Sequence, residues 1–440
     1  TTVKFGGTAG TGVNVVSATQ LTVTTPAGTV GAKDVVVTTS GGSATSAGAF
    51  TYVVSPISTF AGTSAGYTGD GAAATAAQLS GPRQIAFDSN GNLFFADTAN
   101  HVIRAVCKVT GTYFGIAMTA GNIYTVAGTT VGSTGDGALA SAAKLSSPAG
   151  VAFDTNGNLY IADSGNARIR VVAKTAGTYF GVAMTANFIH TVAGTGVAGA
   201  TGDGASALAA LLDTPTGVAF DASGNLYIAD SANHRVRAVN SVPGTYFNVA
   251  MTANNIYSVA GTGASGSTGD GAAATAALLS APRKIAFDTT GNLFIADTGN
   301  SRIRVVNKTA GTYFGVAMTV NNIYVVAGTT AGLSGDAAAA TAAQINTPSD
   351  LAFDTTGNLY IADTANSRIR AVNKTAGTYF GVVMAANNIY TVAGTTAGTS
   401  GDGAAATAGQ INLPLGIAFD TVGNLYIGDT TGNRIRMVAP

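Results

Sequence analysis

The chain of 440 residues contains no glutamate and no tryptophan, a single cysteine and three histidines. Each scarcity narrows the functional field. One cysteine excludes an intrachain disulfide framework. Cys107 stands where sister segments carry Ala173, Asn240 or Asn307, so it reads as incidental. His101, His190 and His234 are too scattered to suggest converging zinc ligands, and no Ser-His-Asp or Cys-His arrangement is suggested. Charged residues make up 10% of the chain and cancel to a formal net charge of zero, which removes the basic footprint that nucleic-acid binding needs. No apolar run approaches the length of a helical membrane span. No charged segment followed by an apolar one suggests a signal peptide within these residues, and Thr1 in place of a methionine reads as a processed or excised start.

What is abundant is threonine, valine, alanine and glycine, which suit strands and tight turns. They are organised by a repeat. An Ala-Phe-Asp step recurs with its phenylalanine at Phe87, Phe153, Phe220, Phe287, Phe353 and Phe419, at spacings of 66, 67, 67, 66 and 66. A period this regular decides the architecture before any local signal does. Eighteen of the 21 aspartates sit at three fixed places in the unit, with Asp34, Asp213 and Asp350 outside them.

Residues 1–54 precede the repeats. Short alternating runs at Thr2–Phe5, Val13–Val16, Gln20–Thr24, Asp34–Thr38 and Ala49–Val53 are parted by Gly, Ser and Pro turns, the pattern of a small antiparallel sandwich. The wording VKFGGTAG, VVSATQLTVTTPAG, DVVVTTSGG and FTYV resembles the later two-thirds of an IPT/TIG domain, the immunoglobulin-like module. The resemblance implies that the opening strands are missing. Val3, Phe5, Leu21, Val23, Val35, Val37, Phe50 and Tyr52 then line an inner face without a facing sheet, and a half sandwich exposes strand edges. Either a boundary falls inside the domain, or another chain or a nicked upstream segment donates the missing strands.

The repeats occupy 55–440. In each unit a strand follows a proline (Pro82, Pro148, Pro215, Pro282, Pro348, Pro414) and ends in a turn such as Asp154-Thr155-Asn156-Gly157-Asn158. Asp and Asn close such a turn on their own backbone, and Gly supplies positive φ. A second strand (Leu-Tyr/Phe-Ile-Ala-Asp), a third (Arg-Ile-Arg) and a fourth (Asn-Ile-Tyr-Thr-Val-Ala-Gly) complete the unit. Four antiparallel strands in six units predict an all-β, six-bladed propeller. The last unit stops after its third strand, and residues 57–62, unpartnered before the first proline, are expected to complete it beside Arg434–Val438. The motifs Pro-x-Gly-Val-Ala-Phe-Asp, Gly-Asn-Leu-Tyr-Ile-Ala-Asp-Ser-Gly-Asn and Arg-Ile-Arg resemble NHL repeats, which implies the same fold and leaves function open. Five units insert a Gly-Thr-Tyr-Phe segment, at Gly111, Gly177, Gly244, Gly311 and Gly377. One extra strand would reverse the fourth, so an irregular excursion on the rim is expected, its Tyr, Phe and Met either packing between blades or forming a contact patch.

Repeated aspartates invite a metal reading. Asp70, Asp136, Asp203, Asp270, Asp336 and Asp402 each precede an alanine run and read as helix N-caps, since one carboxylate per loop is too few for calcium. The second-strand aspartates pair by spacing with an arginine seven residues on: Asp97 with Arg104, Asp163 with Arg170, Asp230 with Arg237, Asp297 with Arg304, Asp363 with Arg370, Asp429 with Arg436. Six equal pairs suit one structural bond made six times. Function is expected where copies differ. After the prolines, copies one and four carry Arg83-Gln84 and Arg283-Lys284, opposite one another at the channel mouth, with Asp350 in copy five. Arg83, Arg283 and Lys284 either hold an anionic group, with Asp350 as a counter-charge, or form part of a solvated channel mouth. No cofactor and no metal is expected.

The functional expectation is a non-enzymatic, extracellular or surface-displayed prokaryotic protein. It would be a structural or adhesive subunit, as of a filament, self-associating through the incomplete domain. The alternative is a propeller binding a glycan or anionic peptide at the channel mouth. A metal-dependent lyase or lactonase is the third reading.

Overall fold

In the computed structural model, which describes residues 1–24, 31–52 and 55–440, alternating and β-branched runs become strands throughout, and the only helical pieces among the described residues are three-residue 3-10 turns. The leading segment forms β1 (Thr2–Phe5), β2 (Thr8–Ala9), β3 (Thr11–Ser17), β4 (Gln20–Thr24), β5 (Gly31–Thr39) and β6 (Gly42–Tyr52). One sheet runs β2-β1-β5-β6, and β3 pairs with β4 as a separate hairpin. Val3 sits opposite Val37 and Phe5 opposite Val35. Val3 and Phe5 are buried, contrary to the expectation of a wholly uncovered face, and Phe5 packs edge-on against Phe50 at 4.8 Å. Leu21, Val23, Val35, Val37 and Phe50 remain partly exposed. The side chain of Tyr52 lies outside the described residues.

Six antiparallel blades follow, each with four strands ordered inner, second, third, outer, the second blade adding a two-residue strand, Ala138–Leu139, beside its outer strand. In the second blade these are Gly150–Phe153, Leu159–Asp163, Arg168–Val172 and Phe188–Ala193. In every blade the Leu-to-Asp second strand is buried on both faces, which is why it reads as an unbroken apolar run. The turn after the inner strand is held by its aspartate. Asp154 accepts from the Asn156 and Asn158 amides at 2.9 Å and from the Asn158 side chain at 2.7 Å. The last blade is completed by β7 (Ile57–Ala61), which pairs with Arg434–Val438 in the register Val438 to Ile57 and Ile435 to Ala61. The fold closes its sheet as the repeat count implied.

The rim insert is regular, not irregular. Each copy is a two-stranded hairpin, such as Gly111–Tyr113 with Ile116–Met118. Two added strands preserve the direction of the fourth, which resolves the parity problem. In four of the five copies the turn is Phe-Gly, with both residues at positive φ, as in Phe114 (50°) and Gly115 (79°). A phenylalanine in that region is strained. The strain is offset by packing: Phe114 lies 5.9 Å from Phe94 of its own blade and 6.4 Å from Phe153 of the next. The five inserts therefore cement neighbouring blades.

Candidate functional site

The inner strands ring the channel, and a register shift after the proline in four of the blades re-aims the residues that follow it. In the fourth blade the ladder starts only at Ile285, leaving Arg283 and Lys284 outside it. The five candidate residues consequently fall into two groups. Arg83 and Arg283 line a cavity of about 230 Å³ at the mouth, together with Thr216, Ser349 and Leu415. Burial lowers the pKa of both guanidinium groups, and for Arg83 the like charge of Arg283 lowers it further. The buried Nε of Arg83 has no hydrogen-bond partner, and among the described residues neither arginine has a carboxylate within ion-pair range. Two cations from opposite blades thus face one cavity.

Lys284 does not join them. It lies 3.7 Å from Asp350 and donates to Gln84 at 3.4 Å, so the second-position residues of blades one, four and five converge as a plug. Where blades two, three and six carry Gly150, Gly217 and Gly416, the neighbouring inner strand approaches so closely that a Cβ would collide with its backbone. Gln84, Lys284 and Asp350 are the three exceptions, and they meet one another. Asp350 is fully buried, and its carboxylate accepts from the backbone amides of Leu351 (2.7 Å) and Ile417 (3.1 Å). Burial raises its pKa to about 6, against the opposing pull of Lys284. Asp350 thus lies beside Lys284 as its counter-charge, while Arg83 and Arg283 face the cavity.

Comparison with known proteins agrees with this architecture. The NHL-repeat model matches residues 145–172, 212–238, 279–306 and 346–371, and the IPT/TIG model matches 1–52. The propeller carries NHL repeats in its second to fifth blades, and an IPT/TIG domain precedes it. The curated human protein Teneurin-1 is 28% identical over 271 residues, 54% of this chain and 8% of that protein. Protein SUPPRESSOR OF QUENCHING 1, chloroplastic, of Arabidopsis thaliana is 35% identical over 101 residues, 23% of this chain and 8% of that protein. The chain thus spans under a tenth of the length of these relatives. Among solved structures, auxiliary nutrient binding proteins from Bacteroides thetaiotaomicron and Bacteroides ovatus superpose with TM-score 0.56 at 15% and 16% identity, covering 100% of this chain and 90% of each. At that identity the likeness shows the fold.

In the NHL propeller the repeated charges serve the ring. Arg104, Arg170, Arg237, Arg304, Arg370 and Arg436 are fully buried, each 3.5–3.7 Å from its second-strand aspartate. The shorter bond goes elsewhere, to the loop aspartate 34 residues upstream, at 2.5–2.8 Å. The capping role expected for Asp70, Asp136, Asp203, Asp270, Asp336 and Asp402 is therefore corrected. The 3-10 turns start at Ala or Leu or Ser with no side-chain cap, and the loop carboxylates anchor the buried arginines. The second-strand aspartates instead tie the loop before the inner strand to the second strand's end: Asp297 accepts from the Ser280 amide at 2.7 Å and from the Asn300 side chain at 2.8 Å. Burial raises the pKa of Asp97, Asp163, Asp230, Asp297 and Asp429 to about 6.

The histidines are accounted for separately. His101 and His234 accept the Ser147 and Ala281 amides of the next blade through Nδ1, each at 3.0 Å. Among the described residues no group of three His, Cys or Asp side chains is placed to hold a metal. A set of residues missed in the sequence is the hydroxyl after each second-strand aspartate. Thr98, Ser164, Ser231, Thr298, Thr364 and Thr430 donate to the carbonyl of the next blade's proline at 2.5–2.7 Å, the last reaching Pro82 across the ring closure. The signal was present, since Ser or Thr follows that aspartate in all six copies.

Proposed function

We propose that this chain is a non-catalytic, extracellular or surface-displayed prokaryotic binding propeller whose channel mouth takes a carboxylate-bearing ligand, an acidic peptide or an anionic glycan. The observation that carries the reading is the pair Arg83 and Arg283, held in a cavity of about 230 Å³ with no acid of their own. Burial makes such cations costly unless an anion completes them. Lys284 is paired with Asp350 at 3.7 Å, which leaves Arg83 and Arg283 as the cations for the ligand. The name borne by the similar Bacteroides structures, auxiliary nutrient binding protein, is consistent with a carrier role. Calorimetric titration with an acidic hexapeptide, a uronate oligosaccharide and their neutral counterparts tests it. Binding of an acidic probe and its loss in the Arg83→Ala/Arg283→Ala double variant are expected; equal binding by the variant, or none by either acidic probe, rejects the site. Surface labelling of intact cells tests the location.

A second reading, assembly through the IPT/TIG domain, is favoured by one feature. β6 spans eleven residues at the edge of its sheet, beside β5 alone, above the partly exposed Leu21, Val23, Val35 and Val37. A long open edge is a template for another strand. Electron micrographs of purified protein showing only monodisperse single discs would rule this out.

A further inference from the structure

Three junctions that carry a rim hairpin also hold a cavity beside it. The volumes are about 300 Å³ between blades one and two, about 210 Å³ between three and four, and about 380 Å³ between four and five. The same repeat positions line all three, so one site is made three times. Each lies near the small end of ligand pockets, about 300–1,000 Å³, which suits a single ring.

The aromatic part of the wall is fixed by the hairpin. Tyr113, Tyr246 and Tyr313 are half-buried, and each lies over the first glycine of its own hairpin. A Cβ at Gly111, Gly244 or Gly311 would stand 2.8–3.2 Å from the tyrosine side chain. The Tyr113 hydroxyl donates to the Val109 carbonyl at 2.8 Å, and that of Tyr313 meets the Thr309 hydroxyl at 2.9 Å. A ring held in this way meets a ligand with little further ordering to undergo.

Polar groups in the wall are left over from the fold. The ammonium groups of Lys174, Lys308 and Lys374, supplied by the following blade, are exposed and make no ion pair among the described residues. The side-chain amides of Asn187, Asn321 and Asn387 are half-buried and make no hydrogen bond among the described residues. Asp88, Asp221 and Asp288 are spent differently, each accepting the backbone amides two and four residues on. Their charge still balances the lysine, so each cavity holds one carboxylate and one ammonium. Ser241 stands at the lysine's place in blade three, so the blade folds without that side chain.

We infer that the three cavities are equivalent sites for a neutral glycan, each taking one pyranose ring. A pyranose has an apolar face for the fixed tyrosine ring. Its hydroxyls both donate and accept, which the ammonium, the amide and the exposed hydroxyl of Thr112, Thr245 or Thr312 at each site can match. The balanced charge gives no net attraction to an acidic ligand, in contrast to the paired arginines of the channel mouth. Three copies on one ring suit a ligand that itself repeats, since weak sites engaged together by one polymer gain avidity without any new contact.

The probes are cellohexaose, maltohexaose and mannohexaose, titrated calorimetrically into the whole chain. At least one of them should bind at more than one equivalent site per chain. Lys174→Ala/Lys308→Ala/Lys374→Ala removes exposed side chains without disturbing the core and should weaken that binding about tenfold. Asn187→Gly/Asn321→Gly/Asn387→Gly is the second variant. These asparagines sit at φ of 63–67°, which glycine adopts freely, so the amide is lost without strain and affinity should fall to the same extent. Arg83→Ala/Arg283→Ala should leave the binding unchanged, which separates it from the channel mouth. The inference is overturned by no binding of any of the three probes, by a single site per chain, or by equal affinity of both triple variants. Loss of binding in the arginine variant, or a preference for hexagalacturonate that survives in it, overturns it as well.

Discussion

Asp270→Ala tests whether the loop aspartates are surface decoration, metal ligands or structural anchors. Asp270 accepts from Nε of Arg304 at 3.0 Å and from Nη2 at 2.8 Å, and its side chain is 37% exposed. Charge-assisted hydrogen bonds contribute about 1.5–3 kcal/mol each. Solvent at Asp270 screens this toward the lower end, and Arg304 keeps Asp297 at 3.6 Å and the Leu278 carbonyl at 2.7 Å. The expected loss is about 2–3 kcal/mol, where an ordinary exposed ion pair contributes below about 1 kcal/mol. For a repeat array of this size, with unfolding entropy near 0.8 kcal/mol/K, Tm falls by about 3 °C.

The sister residue Asp336 provides an internal control. It accepts from Nη2 of Arg370 at 2.6 Å and from the Thr391 hydroxyl at 2.7 Å, and the Nε of Arg370 has no partner. Asp336→Ala should cost about as much, since it too loses two bonds to its carboxylate, one from the guanidinium and one from the Thr391 hydroxyl. Urea unfolding followed by far-ultraviolet circular dichroism reads both. If both variants lie within about 0.5 kcal/mol of the parent, the anchoring account fails. A calcium arm completes the test: the carboxylate is already engaged by a guanidinium, so excess calcium should leave Tm unchanged, and a calcium-dependent rise would restore the metal reading.

Three further outcomes are expected. Phe314→Ala removes a nearly buried ring from the junction of blades four and five and should cost about 3 kcal/mol, measured by the same unfolding assay. Asp350 has its pKa raised from 3.8 to about 6, so the stability linked to its protonation is fully present below about 4 and is lost as pH rises through 6. Below 6 the plug also carries one more net positive charge, so anion affinity at the mouth should rise as pH falls from 7 to 5. Calorimetry across that window checks this, and Asp350→Asn should flatten the profile. A chain beginning after β7 would leave Arg434–Val438 as an open edge, and light scattering should then show association where the parent is monodisperse.

The architecture was legible because a fixed period, a proline before each inner strand and an unpartnered Ile57–Ala61 all point to a closed ring. The chemistry of the charges was less legible, for a physical reason. Spacing along one chain favours partners seven residues apart, and Asp97 and Arg104 do sit on adjacent strands. The guanidinium, however, extends past that strand to the loop 34 residues upstream, where Asp70 and the Gln78 carbonyl meet it. The plug was hidden for a similar reason. Strict alternation would send Arg283 and Lys284 to opposite sides, and only the irregular start of the inner strand lets both serve the channel. The hairpins were half read: parity forbade one added strand and permitted two.

In a ring of near-identical blades, residues shared by all six copies cannot single out a place, and here they bind blade to blade: the Ser or Thr hydroxyl on the next proline carbonyl, the loop aspartate on the buried arginine, the turn aspartate on its own backbone. Two regions break the symmetry. At the mouth, Arg83 and Arg283 from opposite blades face one cavity while Gln84, Lys284 and Asp350 meet one another. At the seam, Phe60 and Met437 replace the smaller residues of the other blades, and Phe60 packs edge-on against Tyr426 at 4.9 Å. Both departures involve blade one, through Arg83, Gln84 and Phe87, which lies 5.0 Å from Tyr426. The ring is joined at this junction, because β7 completes blade six and Thr430 reaches across to Pro82 of blade one. A ligand at the mouth would therefore bear on it. If occupancy stiffens that junction, binding should slow hydrogen exchange in β7 and Arg434–Val438 more than in the five equivalent outer-strand pairs. Uniform protection around the ring would instead make the mouth an independent site on a rigid scaffold.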